Sequence, residues 1–342
     1  MRKLKLFEKL LFVVNTLLAF ALLLSYLMPY IEPERFAFLS VLSLGVPFLI
    51  IANAIFMIYW LLKVKRQLLL SAIVLAIGYN HVLSLYKFSG SLNISDPNNI
   101  SVMNYNVRLF NTFNWIDDPE LKTKMNTFLR KNQPDIISMQ EYRPDDSIAM
   151  TGYEKYEHLT GNKVRNGQAI FSKFPIVNSG SIEFPNTSNN AIYADVVLKS
   201  RDTVRIYNVH LQSSGIDPAV ENLSKEDSGN MFNRVSSTFK MQQAQTEQFL
   251  QHRTKSPYRT IICGDFNNTA YSYVYKEIKG DMKDAFKKAG NGFGRTYDFR
   301  FFPVRIDFIL VEEDFKINGF KTFDDKLSDH YPIMAKVKLK AE

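Results

Sequence analysis

Three long stretches near the start of this 342-residue chain lack Asp, Glu, Lys and Arg altogether: residues 10–31, 36–62 and 67–86. They run to 22, 27 and 20 residues, against the roughly 20 that a helix needs to cross a bilayer's hydrocarbon core. A helix suits lipid because it satisfies its own backbone hydrogen bonds. A buried helical bundle in a soluble protein is the competing reading, and these lengths speak against it. A cleavable leader ending near Ala19 and Ala21 fits poorly as well, because the apolar run continues to Met28 and two more follow. Cysteine is nearly absent. Cys263 stands alone, which excludes an intrachain disulfide framework but not an oxidising compartment, since a core of this size needs no staples.

Basic excess is scarce where nucleic acid would need it. Of the net +8, residues 1–90 supply most, with nine Lys/Arg against three Asp/Glu, while the remaining 252 residues hold 33 against 31. A protein that coats DNA is expected to put its cations on the soluble part. Arg2, Lys3, Lys5 and Lys9 precede the first apolar stretch, and Lys63, Lys65 and Arg66 separate the second from the third. The positive-inside bias therefore places the N-terminus and that turn in the cytoplasm. Three crossings then deliver the rest of the chain to the periplasm or exterior of a bacterial inner or cell membrane. Asn15, Asn53, Asn80 and His81 interrupt the apolar stretches and read as interhelical hydrogen-bonding positions or as ends near the head groups. The expected division is a membrane anchor with three transmembrane helices over residues 1–88, a polar linker over 89–99 and a folded domain over 100–342.

From residue 100 the pattern changes to short β-rich runs with turn residues between them. Strands are expected at 100–107, 136–140, 168–172, 192–198, 204–210, 260–264, 306–311 and 333–339. Asp117, Asp118 and Pro119 predict a helix start, with Leu121, Met125, Phe128 and Leu129 on one face. A longer helix is expected at 235–251, and 213–233 reads as a long polar loop or a plain surface insertion. Strands with interspersed helices predict an α/β sandwich.

Polar residues sit where apolar strands end, and strand ends hold side chains rigidly at a rim. Asn104, Asn106 and Arg108 close the first strand; Gln140 and Glu141 close the second; Asn208 and His210, then Asp265 and Asn267, close two more. Asp307 opens a strand, and Asp329 and His330 precede the last. Singly each has a bland explanation as a turn, cap or solvated charge. Together they offer oxygen ligands for Mg²⁺ or Mn²⁺ and imidazoles for proton transfer. Two aromatic segments, 110–115 and 297–303, lie near these positions, and read either as rings packed under loops or as a rim facing membrane or substrate.

The ordered series NYNVR, QPDIISMQE, NGQAIFSK, YNVHLQS, CGDFN, RIDFIL and SDHYP resembles the signature of the endonuclease/exonuclease/phosphatase (DNase I-like) superfamily. The likeness covers roughly residues 100–342 and suggests a membrane-anchored bacterial-type member. It implies a four-layer α/β sandwich, two packed mixed β-sheets flanked by helices. It further implies that Glu141 is the main metal ligand, with Asn106 helping to hold metal and phosphate and Asp329 as a further metal or water-network carboxylate. Asp265 would orient or deprotonate the attacking water, and Asn267 would stabilise charge on the phosphoryl oxygens. Asp307 and His330 would form an Asp–His pair, His210 would assist the leaving group or bind phosphate, and Arg108 falls on the substrate side. Abasic-site endonucleases of the superfamily carry a tyrosine where His210 stands, which counts against a DNA-repair role.

The function expected is a metal-dependent phosphodiesterase or phosphatase acting outside the cytoplasm, with a lipid head group favoured over nucleic acid as partner. A surface or periplasmic nuclease is the alternative within the same chemistry, and a local basic patch of Arg108, Lys163, Arg165 and Arg300 would favour it. A catalytically inactive membrane scaffold is the third reading, opposed by the intact set of Glu141, Asp265, Asn267, Asp307 and His330.

Overall fold

Two of the polar interruptions of the apolar stretches, Asn15 and Asn53, turn inward, while Asn80 is exposed. In the computed structural model, which describes residues 4–88, 90, 94–161, 165–215, 228–299 and 302–340, the first stretch forms α1 (Leu6–Ser25). The second forms α2 (Pro33–Val41) and α3 (Val46–Leu62), and the third α4 (Leu68–Ile77) and α5 (Tyr79–Leu85). Asn15 donates to Ser71 Oγ at 2.7 Å, Ser71 to Asn53 Oδ1 at 3.1 Å, and the Trp60 indole to Asn15 Oδ1 at 2.9 Å. All four side chains are buried, so Asn15 and Asn53 tie α1, α3 and α4 together as expected of them.

Among the described residues two helical segments are long and apolar enough to cross a membrane, Leu6–Tyr30 and Pro33–Leu62. The third expected span, 67–86, is corrected: it is broken, with α4 and α5 bent by 83° at Gly78. The Tyr26 ring fills the space a side chain at Gly78 would need, and the Tyr26 hydroxyl donates to Val74 O at 2.9 Å. Past the bend, His81 lies between the Tyr26 and Tyr271 rings.

The two ends of the helical unit differ. At one, Glu8 and Lys65 approach to 3.9 Å. At the other, Glu34 N donates to Gln243 Oε1 at 2.9 Å, Phe38 packs on Phe232, and the Tyr271 hydroxyl donates to His81 O.

The remaining chain builds two six-stranded sheets. Their strands are β1 (Ile100–Asn106), β2 (Ile136–Tyr142), β3 (Glu154–Thr160), β4 (Asn166–Ser172), β5 (Ile176–Glu183) and β6 (Asn190–Val197), then β7 (Thr203–His210), β8 (Arg259–Asp265), β9 (Lys283–Asp284), β10 (Asp307–Val311), β11 (Phe315–Thr322) and β12 (Ile333–Leu339). One sheet runs β11-β12-β1-β2-β4-β3, the other β9-β10-β8-β7-β6-β5. Both are mixed, since β1 lies parallel to β2 and β7 parallel to β8 while the neighbours are antiparallel.

The alternation of the strands sorts residues into layers. Val102, Ile136 and Ile170 face Ile206, Ile261 and Ile309 between the sheets. The residues one step along, Met103, Ile137 and Met139, face outward against Leu121, Met125 and Phe128 of α6 (Leu121–Asn132). On the far side Tyr207, Ile262 and Phe308 pack under α7 (Ser228–Arg253) and α8 (Tyr273–Lys279). The result is the four-layer sandwich expected.

Each of the eight expected strands is present, with ends shifted by two residues at most. β3, β5, β9 and β11 were not expected. They are the edge strands of the two sheets; β3 and β5 are mostly half-buried or exposed and β9 is only two residues long, so no long apolar run announces them. The expected cap at 117–119 is a turn instead: α6 begins at Leu121, and Asp118 accepts from Glu120 N at 3.0 Å. The helix expected at 235–251 is longer. It begins at Ser228, so 228–233 is helix rather than loop, and residues 216–227 of that expected loop lie outside the described residues. The described part of the expected linker is tied down: Asp96 pairs with Lys338 at 2.9 Å, and Asn318 donates to Asn99 Oδ1 at 2.7 Å.

Candidate active site

On the central strands the inward-facing positions change from aliphatic to polar along their length. On β1 the series is Val102, Asn104, Asn106; on β7 it is Ile206, Asn208, His210; on β8 it is Ile261, Cys263, Asp265. Sheet register then brings the polar ends to one rim. Asn106 pairs with Gln140, and Asp265 has His210 on one side and Asp307 on the other. Period-two geometry alone thus gathers the polar set from both sheets.

Asp265 is the hub. Its Oδ2 accepts from Asn106 Nδ2 at 3.1 Å and lies 3.7 Å from His330 Nε2 and 3.8 Å from His210 Nε2. Its Oδ1 accepts from Asn267 N at 2.8 Å. Asn106 Nδ2 also donates to Glu141 Oε1 at 3.0 Å. Two carboxylates therefore converge on one amide. His330 Nδ1 meets Asp307 Oδ2 at 2.9 Å, and the other Asp307 oxygen accepts from Asn104 Nδ2 at 3.2 Å.

Two of these residues hold strained backbone. Glu141 has φ of 47° and Asn267 has φ of 49°, in the left-handed region that costs most side chains energy. For Glu141 the cause is a bulge: the β2–β4 register shifts between Met139 and Tyr142, which re-aims the carboxylate into the cleft. For Asn267 it is the tight turn closed on the Asp265 carboxylate, with its own amide donating to Leu211 O at 2.9 Å.

Burial and charge act in opposite directions on the two histidines. Burial and the neighbouring His330 charge bring His210 down to about 4, so it is neutral at pH 7. Burial alone would also lower His330, but the Asp307 and Asp265 carboxylates outweigh it and push it up to about 10. Burial raises the Asp265 carboxyl, with His330 opposing. Glu141 is raised too, first by desolvation, against the pull of its Asn106 hydrogen bond.

The donor chemistry fits a divalent cation. Asp265, Asp307 and His330 offer ligand atoms within 4.8 Å of one another. His330 Nδ1, however, is taken up by Asp307. The carboxylate oxygens of Glu141 and Asp265, which meet at the Asn106 amide, are the better match to a hard ion such as Mg²⁺ or Mn²⁺.

Of the expected residues, Asn106, Glu141, His210, Asp265, Asn267, Asp307 and His330 are joined by these contacts. Asp329 and Arg108 stand at the edge of the cleft, paired with each other at 3.1 Å, and the Arg108 guanidinium lies over the Trp115 ring. That pairing spends Arg108, and Lys163 and Arg300 of the expected basic patch lie outside the described residues. Asn104, Gln140 and Asn208 form a support not anticipated as such: Gln140 Nε2 donates to Asn104 Oδ1 and to Asn208 Oδ1. For Asn104 and Asn208 the spacing of two from Asn106 and His210 was the available signal, and for Gln140 its place next to Glu141. Thr296, whose Oγ1 accepts from Asp307 N at 3.1 Å, carried none, whereas Tyr297, whose ring lies 4.9 Å from that of His330, belongs to the aromatic segment 297–303.

Known proteins can now be set beside this geometry. Residues 103–330 match the family described as "Endonuclease/Exonuclease/phosphatase family", and residues 8–85 match one described as "Domain of unknown function (DUF8431)". No curated protein sequence matches the chain. Among solved structures, the human Nocturnin catalytic domain with bound sulfate anion is similar at TM-score 0.55 and 19% identity, covering 75% of this chain and 97% of that one. A mannosyl-6-phosphatase of Bacteroides thetaiotaomicron is similar at TM-score 0.52 and 18% identity, covering 70% and 99%. D. rerio TDP2 complexed with single strand DNA product is similar at TM-score 0.51 and 17% identity, again covering 70% and 99%. At these identities the likeness speaks for the fold.

Proposed function

The chain belongs to the Endonuclease/Exonuclease/phosphatase family, and from that premise we propose that it is a cation-dependent hydrolase of phosphoester bonds held at a membrane by its N-terminal helices. The observation that carries this reading is the meeting of Glu141, Asn106, Asp265 and the Asp307–His330 pair at one rim. A divalent cation held there would supply neutralisation of charge on the phosphoryl group. Glu141 and Asn106 would hold it, with Asp329 as a further carboxylate at the cleft edge.

The remaining steps belong to side chains. Asp265, placed between two imidazoles, orients the attacking water and takes its proton. His330, kept cationic by Asp307, points Nε2 into the cleft to donate to a phosphoryl oxygen. The Asn267 amide has a second N–H beyond the one given to Leu211 and serves the same charge. His210, neutral at pH 7, binds the phosphate or meets the leaving group, and Arg108 stands on the substrate side.

Membrane attachment is supported by the helices' own surfaces. Leu10, Leu17, Phe20, Ile55, Ile58 and Ile73 are exposed, an apolar face too large for water to tolerate. Lys5, Lys9 and the Lys63–Arg66 turn lie at the Glu8–Lys65 end, and the hydrolase domain rests on the opposite end. Positive-inside bias therefore favours a domain facing the periplasm or exterior.

A lipid head group is favoured over nucleic acid, because the domain has little net charge and sits at the helix ends. The test is the full-length protein in detergent with Mg²⁺ or Mn²⁺, assayed against phospholipids, DNA, RNA and a generic phosphodiester, with EDTA controls. Metal-dependent turnover of lipid is expected. Turnover of polynucleotide alone would move the reading to a surface nuclease, and no turnover of anything would leave a scaffold.

A further inference from the structure

The catalytic rim is not open to solvent on every side. A cavity of about 310 Å³ has Glu141, Asn267, Asp329 and His330 at one end and Leu44, Pro47, Phe48 and Leu85 of the N-terminal helices at the other. That volume is within the roughly 300–1,000 Å³ of small-molecule sites. A two-strand hairpin joins the ends: Tyr297–Phe299 pairs with Phe302–Val304. Tyr297 bridges to His330 through the backbone and lies against its ring, while Phe302 stacks on Phe48 with centroids 4.0 Å apart. Phe48 is still 53% exposed, on the helix surface that carries Ile55 and Ile58. The apolar wall of the cavity is thus continuous with the lipid-facing side of α3.

We infer that this wall is a substrate subsite: the helices receive the hydrocarbon part of an amphiphilic phosphate ester drawn from the bilayer, while its phosphate lies at the rim. The inference rests on the hydrolase reading above and adds to it that the N-terminal helices select substrate rather than only tether the domain. Charge agrees. The helix residues that line the cavity, Leu44, Pro47, Phe48, Ser84 and Leu85, carry no ionisable side chain, and the Arg305 guanidinium that also lines it is paired with Asp284 at 2.8 Å. The rim gathers carboxylates and imidazoles, so one molecule with a charged head and an apolar chain satisfies both ends. A polynucleotide would leave the Leu44–Phe48 wall unmatched.

The experiment uses full-length protein in nanodiscs with the probes dodecyl phosphate and methyl phosphate for binding, and their p-nitrophenyl diesters for turnover. Phe48→Ser opens the wall, and Leu44→Trp fills the cavity without removing apolar surface. Partition of dodecyl chains into the disc is common to all three proteins, so only differences between them count. The expected result is a dodecyl-to-methyl ratio, in affinity and in kcat/KM, lower by about ten-fold or more in each variant. An unchanged ratio in both overturns the subsite. If dodecyl phosphate binding falls as expected but no diester is hydrolysed with Mg²⁺ or Mn²⁺, the subsite stands and the hydrolase reading fails.

Discussion

Asn104 and Asp307 come from central strands of opposite sheets and meet through a single hydrogen bond of 3.2 Å. That bond fixes one Asp307 oxygen and leaves the other for His330 Nδ1. Asn104 is itself oriented by Gln140, so the imidazole's direction is set four side chains deep, counting Asn208. Asn104→Leu should lower kcat by about ten- to hundred-fold with the fold retained. Steady-state kinetics together with the circular dichroism of the variant check this, and unaltered kcat would show that Asp307 needs no such support.

Metal removal gives the second expectation. EDTA should abolish turnover, and Mg²⁺ or Mn²⁺ should restore it. Glu141→Gln keeps the shape and the Asn106 contact but loses the charge, so the Mg²⁺ concentration for half-maximal rate should rise by at least about ten-fold. A Mg²⁺ titration of both proteins decides, and equal midpoints would remove Glu141 from the ligand set.

Asp265→Asn and His330→Gln each remove a proton-handling group without opening a cavity. Turnover should fall by about two to four orders of magnitude in each, and the double variant should fall little further because the groups act as one unit. Near-normal rates in both single variants would dismantle the site assignment.

The sheets and much of the site were legible because burial writes itself into sequence as period two. Val102, Asn104 and Asn106 show an inner face turning polar at a strand end, and the same turn recurs at His210 and Asp265. What was hidden depends on tertiary surroundings. β3 begins with Glu154 and Lys155, and an edge strand needs no apolar run. Gly78, Asn80 and His81 mark the weak point of the third apolar stretch, but they do not reveal that the Tyr26 ring occupies the bend. Thr296 reaches the site only because the hairpin folds beneath His330, a long-range event without local trace, and for Tyr297 the aromatic segment left open whether its ring packs under a loop or forms a rim.

The histidine pair makes stability depend on pH in a stated direction. His330 is raised from an imidazole's ordinary value near 6.5 to about 10, so its contribution is fully present below about pH 6.5 and is lost as pH rises through about 10. In EDTA, the difference in thermal midpoint between wild type and His330→Gln should therefore shrink from pH 7 to pH 10. A gap that stays constant or widens over that range would show that the imidazole is not held cationic by Asp307.

The last expectation concerns the scaffold under the rim. Arg205 on β7 and its β6 neighbour Asp195 form a bidentate pair, Nε to Oδ1 at 2.6 Å and Nη2 to Oδ2 at 2.7 Å. Both are buried, and the guanidinium stacks on the Tyr193 ring with 4.3 Å to its centroid. Desolvating two charges gains little by itself, yet removing one partner strands the other in a dry site. Asp195→Ala should then destabilise the protein by about 3–5 kcal/mol. The double variant Asp195→Leu with Arg205→Met replaces both charges by apolar groups and should recover most of that loss. Thermal unfolding of the full-length protein in detergent compares the two. If the double variant is as unstable as Asp195→Ala, the cost comes from lost packing around Tyr193 rather than from a stranded charge.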